Sequence, residues 1–355
     1  MSKILLVGGA GYVGSVLAEE LLERGYAVKV LDRLYFGDGG LQEILDRVEL
    51  VVADMRRPPS NLFEDVDTVV NLGGLSNDPT AEYNPRANYE MNTMATRTLA
   101  EMCRAAGVRR YIFASSCSIY DRGVGNDDKD QIQDEKTPVA PRAAYSSSKR
   151  AAEKALLEMA DDSFCPVILR KGTIYGFSHR MRYDLVVNTF VKFALSHGYL
   201  NLHYGGEMWR PLVDVRDVAR AYILAIEADP QMVKGEIFNV SRRNYRISEL
   251  ALRVRDALRQ ANINVEIRAN YGYKGIRSYR VSTQKIEQVL GFRPKVDIEE
   301  SVTDMIEKIK RYDYTDFDHP KYYNIRWMRM LEEAQRIISI TGSVFEAPCQ
   351  ETLPQ

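Results

Sequence analysis

Short apolar runs alternate with amphipathic segments through the first half of this chain. Ile4 to Val7, Ala27 to Leu31, Val48 to Ala53, Thr68 to Leu72, Tyr111 to Ala114 and Val167 to Leu169 have the length and composition of buried strands. Between them the period lengthens. Val13, Val16, Leu17, Leu21 and Leu22 recur at helical spacing. Asn88 to Ala106 predicts a helix with Met91, Ala95, Leu99 and Met102 on one face, and Pro141 to Met159 predicts a longer one. Strands that alternate with helices predict an α/β fold with a parallel, doubly wound sheet and right-handed crossovers. Ligands bind such sheets at the carboxyl ends of the strands.

The second half is less regular. Helices are expected over Leu185 to Leu195, Arg216 to Ala228, Ser248 to Gln260, Thr283 to Leu290 and Glu299 to Tyr312, with a strand at Glu236 to Val240 that returns to the sheet. The expected organisation is a dinucleotide-binding domain over 1–175, rejoined by 213–242, and a smaller C-terminal α/β substrate-binding lobe from 176–212 and 243–312. Residues 313–355 form an extension: one helix carrying Trp327, Met330, Leu331, Ala334 and Ile337, then a polar tail after Phe345, expected to be disordered.

The first strand runs straight into Gly8, Gly11 and Gly14, and a helix follows. Glycines at this spacing permit the tight turn, the approach of a pyrophosphate and the packing of helix on strand. The helix N-terminus offers free N–H groups to the phosphates. Asp32 closes the second strand about 20 residues on, where an acid can bind the ribose hydroxyls. The sheet is therefore expected to be of the Rossmann type. Tyr145 and Lys149 lie four apart on the long helix and share a face. An ammonium near a tyrosine hydroxyl favours the phenolate, which makes Tyr145 a candidate general base. Ser116, at the end of the fifth strand, can hydrogen-bond a substrate oxygen or serve the turn there.

Composition removes other classes. The chain has 355 residues, 45% of them hydrophobic, and 48 basic residues stand against 49 acidic ones. No basic excess points to nucleic acid or to an anionic membrane surface. No apolar run approaches membrane-spanning length, and Lys3 leads directly into a core strand, so no signal peptide is expected. Cys103, Cys117, Cys165 and Cys349 are scattered without metal-ligand spacing, so no metal is expected and the thiols read as reduced and cytoplasmic.

Taken in order, Gly8-Gly9-Ala10-Gly11-Tyr12-Val13-Gly14, Asp32, Asp54-Met55, Asn92, Ser115 to Tyr120, Tyr145 with Lys149, and Leu169 to Gly176 resemble the extended short-chain dehydrogenase/reductases that act as nucleotide-sugar epimerases and dehydratases. Trp209-Arg210-Pro211 and Val215 to Ala219 continue the resemblance, which spans residues 1 to about 310. The resemblance implies NAD as cofactor and a nucleoside-diphosphate sugar as substrate. Ser116, Tyr145 and Lys149 would be catalytic. Gly8, Gly11, Tyr12, Val13, Gly14, Asp32, Arg33, Asp54, Met55, Leu72, Gly73, Gly74 and Asn92, with Tyr145 and Lys149, would hold the cofactor. Ser76, Ser118, Thr173, Asn188, Arg210 and Arg277 would meet the substrate, and two helices per subunit, here Asn88 to Ala106 and Pro141 to Met159, would pair two copies as a homodimer. Two departures shape the expectation. The 4,6-dehydratases of this kind carry Asp and Glu after the catalytic hydroxyl residue, where this chain has Cys117 and Ser118, so an epimerase acting at C4 is expected ahead of a dehydratase or ketosugar reductase. A non-catalytic dinucleotide sensor would not need Ser116, Tyr145 and Lys149 together. Arg33 follows Asp32 and can accept a 2′-phosphate, but Asp32 favours NAD. The His179 to Arg182 loop and the Ser76 to Asp78 loop are expected to set specificity.

Overall fold

The computed structural model describes residues 2–121, 131–272 and 278–342. Seven parallel strands form the central sheet in the order Glu236–Val240, Cys165–Lys171, Arg110–Ser116, Thr68–Asn71, Lys3–Val7, Ala27–Asp32, Glu49–Val52. The strand at Glu236 does return to the sheet, pairing with Cys165–Lys171. Strand order reverses between Lys3–Val7 and Thr68–Asn71, which opens a crevice at their carboxyl ends.

Alternation along the strands divides the core into two faces. Ile4, Leu6, Val30, Ile112 and Val167 pack on one side against Leu17, Leu21, Val218 and Tyr222 of helices Tyr12–Glu23 and Val215–Glu227. Leu5, Val7, Val69, Phe113 and Ile168 pack on the other against Leu99, Ala152 and Leu156 of helices Ala95–Ala105 and Ala144–Glu158. Burial on both faces explains why these strands read as continuous apolar runs.

A second core gathers around Tyr175, Phe190, Leu250, Val254 and Met305, under helices Val186–His197, Ile247–Gln260 and Ile298–Arg311. Small sheets line this lobe and escaped the periodicity. Trp209–Asp214 runs between Thr173–Tyr175 and Arg243–Arg246, and Tyr199–His203 pairs with Glu266–Asn270. They are three to six residues long, too short for a repeating pattern.

Two expected helices differ in detail. The run beginning near Asn88 starts at Pro85, where the Asn84 side chain accepts from Ala87 N–H at 3.0 Å, and it widens into a π-helical turn over Glu90–Met94. The wide turn sets Asn92 beneath the loop after the fourth strand, its amide donating to Leu75 O at 3.0 Å. The Tyr145 helix starts at Ala144, because Ala143 is extended and the Ala144 N–H is taken by Glu82 at 3.0 Å. The extension folds back as helix Asn324–Thr341, with Trp327 Nε1 donating to Tyr35 O and Tyr83 OH to Glu332. The tail after Phe345 lies outside the described residues.

A buried polar network ties the Tyr145 helix to the sheet. Arg170 meets Glu153 bidentately at 2.7 and 2.8 Å and donates to Tyr120 OH at 2.8 Å. Ser115 donates to the same carboxylate at 2.6 Å, and Tyr120 donates to Asn239 Oδ1 at 2.8 Å. Removing one partner of a buried pair leaves the other charge uncompensated. Arg170→Met should therefore cost about 3–5 kcal/mol of stability in urea unfolding; a shift below about 1 kcal/mol would remove the network as the anchor of this helix.

Candidate active site

The carboxyl ends of the central strands open into a cleft of about 690 Å³, within the range of small-molecule and cofactor sites. The first βα turn forms one wall. Gly8 has φ +77°, and a Cβ on Gly14 would sit 2.5 Å from Gly8 O, so neither position accepts a side chain without moving the turn. Gly8, Gly11, Tyr12, Val13 and Gly14 all line the cleft. The next loop packs against this turn, a Cβ on Gly8 lying 2.9 Å from Gly73 Cα, and a Cβ on Gly74 (φ +118°) would lie 2.0 Å from Asn92 Oδ1. The cradle is thus bare backbone in both loops, as close approach of a dinucleotide requires.

Asp32 takes N–H groups from Ala10 at 3.0 Å and Leu34 at 2.8 Å. Burial nevertheless holds its carboxyl above the usual range, against those same hydrogen bonds. Two backbone donors leave lone pairs for a ribose diol. Arg33 turns away from Asp32, pairing with Asp54 at 2.6 Å and lying 4.7 Å over the Tyr35 ring. Arg56 grips Asp54 as well, and its hydrogen bonds hold that carboxyl down at about 2. An arginine committed to Asp54 is not poised for a 2′-phosphate, which fits NAD rather than its phosphorylated form. Met55, Leu72, Gly73 and Gly74 complete this end of the cleft. Asn92 does not line it. That residue is fully buried, bonded to Leu75 O, Asn88 and Ser148, and it supports the Gly74 loop from behind.

Ser116, on the fifth strand, and Tyr145, on the helix packed across it, both line the cleft. Ser116 Oγ accepts the Ser118 N–H at 3.1 Å, so the hydroxyl serves the turn and keeps its own proton to donate. Ser118 Oγ is buried without a protein partner and also lines the cleft. Lys149 stands one turn behind Tyr145, its Nζ 6.0 Å from that ring and 4.8 Å from the Phe113 ring. Burial, helped by Lys171, pushes the Lys149 ammonium down to about 7. Burial alone pushes Lys171 down to about 8. Lys171 pairs in register with Ser116 and lines the cleft. Cys117 lies off the cleft: its buried thiol donates to Arg170 O at 3.0 Å, and burial drives its pKa well up.

Ser76, Thr173 and Arg210 line the cleft. Asn188, expected to meet substrate, does not line it. It is fully buried, accepts Gly176 N–H at 3.0 Å and donates to Arg182 O at 2.9 Å, so it fixes the loop that carries Arg182. Arg277 lies outside the described residues. Sequence reasoning missed Lys171, Arg180, Arg182 and Asn324 as individual cleft residues. The His179 to Arg182 loop carried a signal in its paired arginines, but Asn324 is placed only by tertiary folding. Arg182 is locked by Asp184 at 2.8 and 3.0 Å and by Ser76 Oγ at 3.3 Å. Among the described residues no group of three or more potential ligands could hold a metal ion, and no helix is long and apolar enough to cross a membrane.

A glycine cradle at the switch point of a parallel sheet, with a serine and a tyrosine lining it and a lysine buried one turn behind the tyrosine, off the cleft, defines a dinucleotide-dependent enzyme of the short-chain dehydrogenase type. The chain matches the NAD dependent epimerase/dehydratase family over residues 4–241 and belongs to it. Its cofactor is NAD. A UDP-N-acetyl-alpha-D-glucosaminuronate decarboxylase of Bacillus cytotoxicus is 25% identical over 316 residues, covering 86% of this chain and 97% of that one. The UDP-glucuronic acid 4-epimerase of Bacillus cereus, solved with UDP-glucuronic acid and NAD, superposes with a TM-score of 0.75 at 22% identity, over 87% of this chain and 99% of that one. TunA, an NAD-dependent NDP-hexosamine 5,6-dehydratase, gives 0.73 at 22% identity, over 90% of this chain and all of that one. An epimerase and a dehydratase thus share this fold, and a decarboxylase is similar in sequence.

The two depressed lysines make stability depend on pH. A lysine that titrates near 10.4 unfolded but near 7 folded contributes stability that is full above 10.4 and lost as pH falls through 7. In cofactor-free protein, Lys149→Met should therefore raise the melting temperature most at pH 6–7, and the gain should shrink toward pH 9.5. Lys171→Met should behave alike with a smaller gain. A gain independent of pH would mean that the ammonium groups are not desolvated.

Proposed function

We propose that the enzyme is an NAD-dependent nucleotide-sugar epimerase that oxidises a sugar hydroxyl, at C4, and re-forms it with inverted configuration. The observation that carries this reading is that Ser116 and Tyr145 line the same cleft, with Lys149 one turn behind Tyr145 and no carboxylate following Ser116. Bound NAD supplies the hydride acceptor and donor.

Tyr145 takes the proton of the reacting hydroxyl and later returns it. Lys149, with its Nζ 6.0 Å from that ring, favours the phenolate by its positive charge. Ser116 holds the substrate oxygen from the sheet side by donating a hydrogen bond to it. Arg210, on strand Trp209–Asp214, faces the cleft and suits the sugar's diphosphate, because the guanidinium fork meets phosphate oxygens bidentately. Elimination of water would need an acid at the position after Ser116. Cys117 offers a thiol that is buried, engaged with Arg170 O and turned off the cleft.

A homodimer and a cytoplasmic location belong to the same proposal. Tyr83, Tyr89 and Met94 stay exposed on and beside the helix predicted to pair two copies. Cys103, Cys117 and Cys165 are free and buried, as suits a reducing compartment. Light scattering at micromolar concentration should return a dimer; a monomer would remove that part of the reading.

The decisive assay is turnover of a panel of nucleotide sugars without added cofactor, with products identified by NMR and mass spectrometry. An isomer of unchanged mass is expected. A product lighter by carbon dioxide or by water would replace the epimerase with a decarboxylase or a dehydratase. Tyr145→Phe should keep fold and NAD binding and lower turnover at least about 10²-fold. Cys117→Ser should leave turnover nearly unchanged. A Tyr145→Phe enzyme at wild-type rate would sink the mechanism, and an inactive, NAD-bound Cys117→Ser enzyme would make the thiol the acid–base group.

A further inference from the structure

The cleft contains a cation that neither the glycine turn nor the Ser116–Tyr145–Lys149 set explains. Arg180 lines the cleft yet is only 6% exposed. Its guanidinium lies 3.7 Å over the Phe36 ring, Nη1 donates to Met181 O at 3.3 Å, and Nη2 donates to Asn324 Oδ1. Among the described residues it enters no ion pair. The two carboxylates that act on it are otherwise engaged: Asp184 by Arg182, and Asp32 by the N–H groups of Ala10 and Leu34. A guanidinium has five donors, so three remain for something other than protein. A buried charge without a partner is costly unless a ligand supplies the counter-charge.

Its position says which ligand. A Cβ on Gly40 would lie 2.4 Å from Ala10 O, in the glycine turn, and 3.1 Å from the Arg180 Cβ, so the Arg180 loop, Gly40 and that turn are stacked. Two residues earlier, Ser178 Oγ hydrogen-bonds Ser15 Oγ at 2.8 Å, in the first turn of the helix that follows the glycines. The loop is stitched to the same helix N-terminus that receives phosphate. Burial and the neighbouring Arg182 push the Arg180 guanidinium down to about 9, as expected of a cation whose counter-anion is a ligand.

We propose that Arg180 binds the diphosphate of the dinucleotide, opposite the helix N-terminus, and that Asn324 positions it. The Phe36 ring fixes the plane of the guanidinium, which favours bidentate contact with phosphate oxygens. Asn324 comes from the segment beyond residue 241, where the family match ends; it also donates to Ser76 Oγ at 2.7 Å. The extension thereby contributes to the cofactor site. The proposal rests on NAD being the cofactor and not on which reaction follows.

The test is calorimetric titration of the full-length, cofactor-free protein with NAD, ADP, adenosine and UDP. Arg180→Met should weaken NAD and ADP about 10- to 100-fold, the scale of charge-assisted hydrogen bonds, while adenosine affinity holds. Arg180→Lys keeps the charge but loses the fork, and should recover only part of the loss; it carries the test if the methionine variant fails to fold. Asn324→Ala should weaken the same two ligands by a smaller factor. Equal losses for adenosine and NAD would reduce Arg180 to a structural role and overturn the proposal. Intact ADP binding with weakened UDP would overturn it too, by assigning the arginine to the substrate's diphosphate. A wild-type protein that binds neither NAD nor ADP would instead remove the cofactor assignment on which the proposal stands.

Discussion

The geometry of this enzyme depends on one buried ion pair. Glu153 follows Tyr145 by two helical turns and Lys149 by one, on the same face, so whatever fixes Glu153 fixes the other two. Arg170 fixes it from the sixth strand, and Ser115 from the fifth. The strand that supplies Arg170 supplies Lys171 next in line, and the strand that supplies Ser115 supplies Ser116. Each strand therefore sends one side chain toward the helix as an anchor and the next to the cleft edge, and the two-residue period of a strand sets the offset. Desolvating two charges is expensive, and apolar packing could hold the helix as well. What the pair adds is register. A bidentate fork accepts one position of the helix along the sheet, where a greasy contact accepts several.

Much of the dinucleotide half was legible in the sequence, because its signals are local. Gly8, Gly11 and Gly14 encode a turn, the apolar runs encode strands buried on both faces, and Tyr145 with Lys149 encodes a helix face. The small sheets of the lobe were not legible. Strands such as Thr173–Tyr175 exist because a neighbour presents free backbone groups, and pairing leaves no periodic trace in three residues. The site divides the same way. Asp32, Ser116 and Tyr145 sit at fixed offsets from their elements. Asn188 is ambiguous in sequence because an amide can bind a phosphate or a loop; only the fold shows that it holds Gly176 and Arg182. Arg180 and Asn324 meet across 144 residues of chain, a pairing no local pattern encodes.

Two lysines lie close to Tyr145 and Ser116, Lys149 behind the Tyr145 ring and Lys171 in register with Ser116. Lys149 and Lys171 come from different elements and both face poor solvation. A site that desolvates two ammonium groups favours whatever negative charge arrives, whether a phenolate, an alkoxide or an acidic substituent on the substrate. Ground-state instability of the empty site is thereby linked to affinity for the charge that develops during reaction.

Fastening the C-terminal helix by Trp327 also has an optical consequence. The chain has two tryptophans. Trp327 is tethered to the Tyr35 carbonyl at the adenosine end of the cleft, while Trp209 lies in the lobe, flanked by Arg246 at 5.3 Å and Arg280 at 5.0 Å. Neither indole lines the cleft, but each adjoins a residue that does, Tyr35 for Trp327 and Arg210 for Trp209, and replacing either tryptophan leaves a single emitter. One intrinsic dye thus stands behind Tyr35 and another beside Arg210, so changes near these two cleft residues can be watched separately in unlabelled protein.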